Sequence, residues 1–267
     1  MYGAQREWDM LAGWFGRDGF DGYGHATPIQ VGLPDESAVW TPRLSRYGKT
    51  TTATGTRQLA AIDVVGHEFG HAVFEYTPGS SGSARDRENG ILNEEVADMF
   101  AVMTEAFANN PKDPPDYTIG ETVSLGDKGP IRIMYQPSLV DGFADCYPPR
   151  QTAGGRSEIP GYGGHWFYLL AEGSDPSGGE PHSPTCNGST VAGIGIRETG
   201  EILYNALLTK TSTWGYSDLR SATLAAARNL HPGDCATYAT VKATWDAVTV
   251  PARSDEPTCG SAPPSAT

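Results

Sequence analysis

The chain has 267 residues, enough for one large domain or two modest ones, either of which can bury a core unaided. Its 19 Lys+Arg against 32 Asp+Glu give a net charge of −13, which repels phosphate backbones and excludes nucleic acid as a partner. No stretch approaches the roughly 18 consecutive apolar residues of a membrane helix, so no membrane partner is expected either. Gly (33) and Pro (20) are in surplus, but 38% hydrophobic residues and 10% aromatics describe a loop-rich globular protein, not a disordered one.

In chain order, Trp8, Leu11, Trp14 and Phe15 recur at helical spacing and predict a helix over 2–15 that Gly16 ends. Residues 17–58 are rich in Gly, Pro, Thr and Ser, with short strand-like pieces such as Ile29-Gln30-Val31. Helices follow over 59–76 and 90–108, separated by a loop beginning at Pro78-Gly79. In the second of these, Ile91, Val96, Met99, Phe100, Met103 and Phe107 line one face. Residues 109–163 read as irregular. A nearly all-apolar helix over 165–173 and amphipathic helices over 193–210, 216–229 and 234–248 complete the body. The tail after Pro251 reads as loose unless Cys259 pins it. Strands lie early and helices dominate later, an α+β organisation. The expected division is a partial N-terminal subdomain over 1–76, a helical catalytic domain over 77–250 and a tail over 251–267.

Four cysteines, Cys146, Cys186, Cys235 and Cys259, allow three pairings, and none has close CxxC spacing. With the acidic charge and the many Gly/Pro loops, the even count points to an oxidising, extracellular setting; four reduced, buried thiols are the alternative. Met1 to Glu7 lacks the basic start, apolar core and small-residue cleavage site of a signal peptide.

The sharpest chemical signal is His67-Glu68-Phe69-Gly70-His71. Two histidines four apart on a helix share a face, so both imidazoles can reach one zinc ion, while Glu68 is placed to hold water at the open position as general base. A catalytic zinc takes a third protein ligand. The next helix offers Asn93-Glu94-Glu95-Val96-Ala97-Asp98, where Glu94 and Asp98 share a face. Glu94 is the expected third ligand, and Asp98 is expected behind a zinc histidine, accepting its free N–H. Glu95 points about 100 degrees away on the helix and is expected to be solvated. His25, His182 and His231 fall in Gly/Pro-rich loops and read as solvated.

The segments Val64 to Val73 and Gly90 to Asp98 resemble the two signature helices of the thermolysin family of zinc endopeptidases. The likeness extends through Pro130-Ile131-Arg132-Ile133-Met134, Gly164 to Gly173 and Thr190 to Gly195. Ser183-Pro184-Thr185-Cys186 and Glu256-Pro257-Thr258-Cys259 resemble its disulfide-containing, griselysin-like branch. The resemblance implies a thermolysin-like zincin fold: the remnant of a β-rich N-terminal part, then a mainly helical domain. It also implies a secreted, calcium-supported endopeptidase that cleaves before apolar residues of protein or peptide substrates, with a monomer favoured. By position it makes His67, His71 and Glu94 zinc ligands and Glu68 the general base. Asn93 and Asp98 support the ligands, Arg132 contacts the substrate carbonyl, and Ala38 offers its backbone carbonyl to substrate. Asp63, Glu105, Asp116 and Glu121 match the family's paired calcium site. Thr118 stands where a further glutamate is usual, so one calcium is expected beside one zinc. The expected disulfides are Cys146–Cys186 and Cys235–Cys259, the second closing a loop of roughly 25 residues.

Three departures from the pattern stand out. The chain begins inside the family's catalytic unit, at what resembles its Tyr-Gly-Ala-Gln helix. The histidine that stabilises the tetrahedral intermediate falls in register on Ser157, beside Arg156, and His165 belongs to the helix that follows. The assisting tyrosine has no match in the loop 77–89, where Arg85 or a serine lies. The leading expectation is therefore a zinc metalloendopeptidase acting by Glu68-assisted attack of zinc-bound water, with weak turnover unless Arg156 or His165 substitutes. The alternative is a catalytically impaired relative that binds peptides or another protein.

Overall fold

The structure, a computed structural model, describes residues 2–81, 87–148 and 158–260. Helix α1 (Tyr2–Phe15) stops at Gly16, whose φ of +63° is a left-handed turn that glycine adopts without strain. Five short strands follow: β1 (Ile29–Val31), β2 (Ala38–Thr41), β3 (Leu44–Tyr47), β4 (Lys49–Thr52) and β5 (Gly55–Gln58). β3 is central, parallel to β1 and antiparallel to β2, and β4–β5 is a separate hairpin. The helical part holds α2 (Ile62–Glu75), α3 (Arg87–Ala108), α4 (Tyr162–Ala171), α5 (Ile196–Leu207), α6 (Tyr216–Leu230) and α7 (Cys235–Ala247). Between α3 and α4, the described residues of the segment that reads as irregular hold only two-residue strands and single 3-10 turns. These include β6 (Thr118–Ile119) paired antiparallel with β7 (Arg132–Ile133). Among the described residues, no helix is long and apolar enough to cross a membrane.

α2 and α3 touch more closely than ordinary side chains permit. A Cβ on Gly66 would lie 2.9 Å from the Ala101 Cα, and one on Gly70 would lie 2.8 Å from the Ala97 Cα. The two glycines, four apart, form a groove that receives the alanines of α3, themselves four apart. The close approach fixes the register of His67 and His71 against Glu94 and Asp98. α4 is buried at every residue, which explains its nearly unbroken apolar sequence. Its Trp166 stacks on Trp245 of α7 with ring centroids 4.3 Å apart.

α4 starts at Tyr162, three residues earlier than the sequence suggests, and the reason corrects the reading of Glu95. That carboxylate is buried, not solvated: it accepts the Gly163 amide at 3.1 Å and the Tyr216 hydroxyl at 2.5 Å. It binds the positive end of α4 and joins α3, α4 and α6. Burial raises its pKa to about 7. A second carboxylate is buried with less support. Glu7 on α1 is 1% exposed, and among the described residues neither of its oxygens has a hydrogen-bond partner.

The disulfides are Cys146–Cys186 and Cys235–Cys259, as expected. The tail is tied by more than the second of them. Buried Arg220 bonds Glu256, Asp246 and the Val250 carbonyl, and the Tyr238 hydroxyl donates to the Pro257 carbonyl. His25 and His182 are exposed, each beside an aspartate, whereas half-buried His231 meets Glu198 at 3.1 Å.

Candidate metal centre

α2 carries His67, Glu68 and His71; α3 carries Asn93, Glu94 and Asp98. The Nε2 atoms of His67 and His71 lie 3.5 Å and 3.7 Å from one Glu94 carboxylate oxygen. The three ligand atoms lie within 4.8 Å of one another. Both Nδ1 atoms are already engaged. That of His67 meets Asp98 Oδ1 at 2.7 Å, and that of His71 meets Asn93 Oδ1 at 3.1 Å. With Nδ1 of each ring engaged from behind, Nε2 is the atom each ring presents toward the Glu94 carboxylate. This donor set of two imidazoles and a carboxylate, with the rings held from behind, suits a zinc ion.

Burial would lower the His67 pKa, but the Asp98 and Glu94 carboxylates hold it up to about 9, so this ring must give up its Nε2 proton to take an ion. Burial lowers that of His71, and the His67 charge adds to the effect. The His67 bond keeps Glu94 below the usual carboxylate range. For Asp98, burial is outweighed by the Arg132 guanidinium and His67, which bring it down to about 2. Arg132 grips Asp98 through Nε at 2.5 Å and Nη2 at 2.7 Å, a two-point fork that leaves Nη1 without a hydrogen bond among the described residues. Glu68 is 6% exposed and accepts the Trp40 amide of β2; burial raises its pKa.

Glu68, His67, Arg132 and Ala38 share the walls of a cavity of about 170 Å³. Its remaining lining is mostly apolar: Leu59, Val64, Ile119, Val123, Leu125 and Ile131. No sequence spacing marks these residues, because they come from four separate segments.

The carboxylates set apart for calcium are brought together in part. Asp63, Glu105 and Glu121 converge within 4.8 Å. Glu105 is 1% exposed, and among the described residues neither of its oxygens nor Asp63 Oδ1 has a hydrogen-bond partner. Burial and mutual repulsion raise Asp63 to about 6, Glu121 to about 7 and Glu105 to about 11. Asp116 is not in that trio: one of its oxygens accepts the Thr118 amide and hydroxyl at 2.7 and 2.8 Å. Asp113, which the sequence did not single out, adds to the repulsion on Asp63 and Glu105.

His165 does not serve as a substitute donor. It is buried, with Nδ1 on the Asp145 carbonyl at 3.0 Å and Nε2 on the Ser183 hydroxyl at 2.9 Å. Ser157, Arg156 and Arg85 lie outside the described residues.

A helix bearing HExxH, packed against a helix bearing Glu94 and, behind the first histidine, Asp98, is the arrangement a zincin-type metallopeptidase would need. Residues 1–75 match the family described as "Thermolysin metallopeptidase, catalytic domain", and residues 84–250 match "Thermolysin metallopeptidase, alpha-helical domain". The chain belongs to the thermolysin family. It is 36% identical over 256 residues to the transglutaminase-activating metalloprotease of Streptomyces mobaraensis, covering 93% of this chain and 33% of that protein. It is 31% identical over 245 residues to a bacillolysin of Bacillus caldolyticus, covering 88% of this chain and 42% of that protein. The chain thus spans a third to two fifths of the length of these relatives. The precursor of protealysin, a metalloproteinase from Serratia proteamaculans, has the same fold. Its TM-score is 0.70 at 21% identity, over 94% of this chain and 77% of that one.

Proposed function

We propose that this chain is a zinc-dependent endopeptidase that cleaves protein or peptide substrates before apolar residues. The observation that carries the reading is the convergence of the His67 and His71 Nε2 atoms on Glu94, with Glu68 on the adjoining wall of an apolar cavity. His67, His71 and Glu94 would hold the ion. When bound, zinc supplies Lewis acidity to water and to the scissile carbonyl. Glu68 takes the proton of the attacking water on its carboxylate and returns it to the leaving nitrogen; its burial makes it a stronger base than a solvated glutamate. Arg132, fixed by Asp98, offers Nη1 to a substrate carbonyl, and Ala38 offers its backbone carbonyl to a substrate amide. The cavity's aliphatic walls support an apolar side chain after the cleaved bond. The Asp63, Glu105 and Glu121 trio supports a structural calcium, with Asp116 orienting Thr118 beside it. Two disulfides support a secreted protein.

The test is cleavage of a quenched fluorescent peptide with Leu after the scissile bond, by the chain with zinc and after chelation. Cleavage that chelation abolishes and zinc restores supports the reading. Zinc bound at one per chain with peptide binding but no cleavage would instead make the chain a peptide-binding module.

A further inference from the structure

The apolar cavity beside Glu68 has one wall that does not belong to the metal-bearing helices. Leu125 reaches it from the loop 124–129, where Ser124, Gly126, Asp127 and Gly129 all have positive φ, between 50° and 78°. Two of these are not glycine, so the loop holds a conformation that such residues rarely adopt, and its contacts must impose it. Those contacts are present. The Ser124 hydroxyl accepts the Gly129 amide at 3.1 Å, and the Ser124 amide donates to the Gly120 carbonyl at 2.8 Å. The Asp127 carboxylate accepts the Ala53 amide at 2.7 Å, at the tip of the β4–β5 hairpin. Beside it, Arg57 of β5 donates to the Thr122 carbonyl at 2.8 Å. The hairpin thus holds the segment at two points, Thr122 and Asp127, and half-buried Leu125 lies between them on the cavity wall, which Val123 and Ile131 also line.

We infer that Leu125 is a wall that sets the size of the substrate pocket and that Asp127 is the positioning residue that holds it. The inference rests on the peptidase reading and adds to it the residue that discriminates among apolar substrates. Hydrophobic pockets discriminate by filled volume: a methylene gained or lost changes selectivity about 10-fold or more. Leu125→Ala removes three carbon atoms from the wall, and the freed space suits a ring better than an isobutyl group.

The experiment compares peptides that differ only in Ala, Leu or Phe after the scissile bond. Their kcat/KM values are measured, and the same peptides are titrated calorimetrically onto the zinc-loaded Glu68→Gln chain, which reports selectivity independently of turnover. Leu125→Ala is expected to raise the Phe-to-Leu ratio about tenfold. Asp127→Gly, which suits the positive φ but lacks the carboxylate, is expected to raise it less. Asp127→Asn, which keeps an acceptor, is expected to restore the parental ratio. Leu139→Ala, on an exposed leucine that is not among those lining the cavity, is expected to leave it unchanged. A Phe-to-Leu ratio unchanged in Leu125→Ala, or no binding of any of the peptides by the Glu68→Gln chain, overturns the inference. Selective binding without turnover in the parent overturns the peptidase reading alone.

Discussion

Replacing Glu7 should make the protein more stable, and by an amount that grows with pH. The side chain is 1% exposed and neither oxygen has a partner among the described residues, so burial raises its pKa well above the ordinary value and favours the protonated form in the folded chain. In the unfolded chain it ionises near pH 4.3. The folded state therefore binds the extra proton. The contribution to stability is complete below about pH 4 and falls as pH rises toward the folded value. For one proton the loss is at most about 1.4 kcal/mol per pH unit between the unfolded value and the folded one. Glu7→Gln removes this loss but leaves a buried, unpartnered amide. Glu7→Met also removes the unpaired polar group, worth about 1–3 kcal/mol more. Urea unfolding of the three proteins from pH 4 to 8 measures the difference, in which the pH dependence of all other groups cancels. The expected result is a gap between Glu7→Gln and the parent that opens steadily above pH 5. Parallel stability curves for parent and Glu7→Gln would refute the argument and mean that the carboxylate finds a partner in solution.

Three further outcomes follow from the site and the cross-links. Asp98→Asn weakens the grip on His67 Nδ1 and on the Arg132 fork, and a zinc titration against a competing chelator should read a 10–100-fold loss of affinity, roughly. Calcium should raise the midpoint of thermal unfolding, and more at pH 8 than at pH 5. Asp63 and Glu121 have folded values raised to about 6 and 7, so the cation-free fold loses stability as pH rises through them, and a bound cation offsets that repulsion. Cys259→Ser opens a loop whose ends are 24 positions apart in sequence; it should cost about 3 kcal/mol in non-reducing denaturant unfolding, with the buried Arg220–Glu256 bond retaining part of the tail.

What could be read from the sequence was local. His67, His71, Glu94, Asn93 and Asp98 are related by helical spacing on two neighbouring helices, and the structure brings them together as that spacing requires. Glu95 shows the limit. The helical wheel gave its direction correctly but not what lies there, which is the amino end of a helix 68 residues further along the chain. The cavity lining, Asp113 and the bracing of Leu125 were hidden for the same reason, since each depends on segments that only the tertiary fold brings side by side. Asp116 lies near Glu105 and Glu121 of the trio in sequence, but the Thr118 amide and hydroxyl hold one of its oxygens in a local turn. The early end of the predicted helix over 59–76 and the late start of that over 193–210 are simpler matters. α2 runs only from Ile62 to Glu75, and Gly195, at φ +89°, stops α5 from extending further back.

The central claim is that Glu68 acts as the base of a zinc-dependent peptidase held by His67, His71 and Glu94. The measurement that tests it most directly is peptide turnover together with zinc content, in the parent and in Glu68→Gln. The account predicts one zinc per chain in both proteins, with hydrolysis in the parent and its loss in Glu68→Gln. Equal hydrolysis in the two proteins at equal zinc content would contradict it.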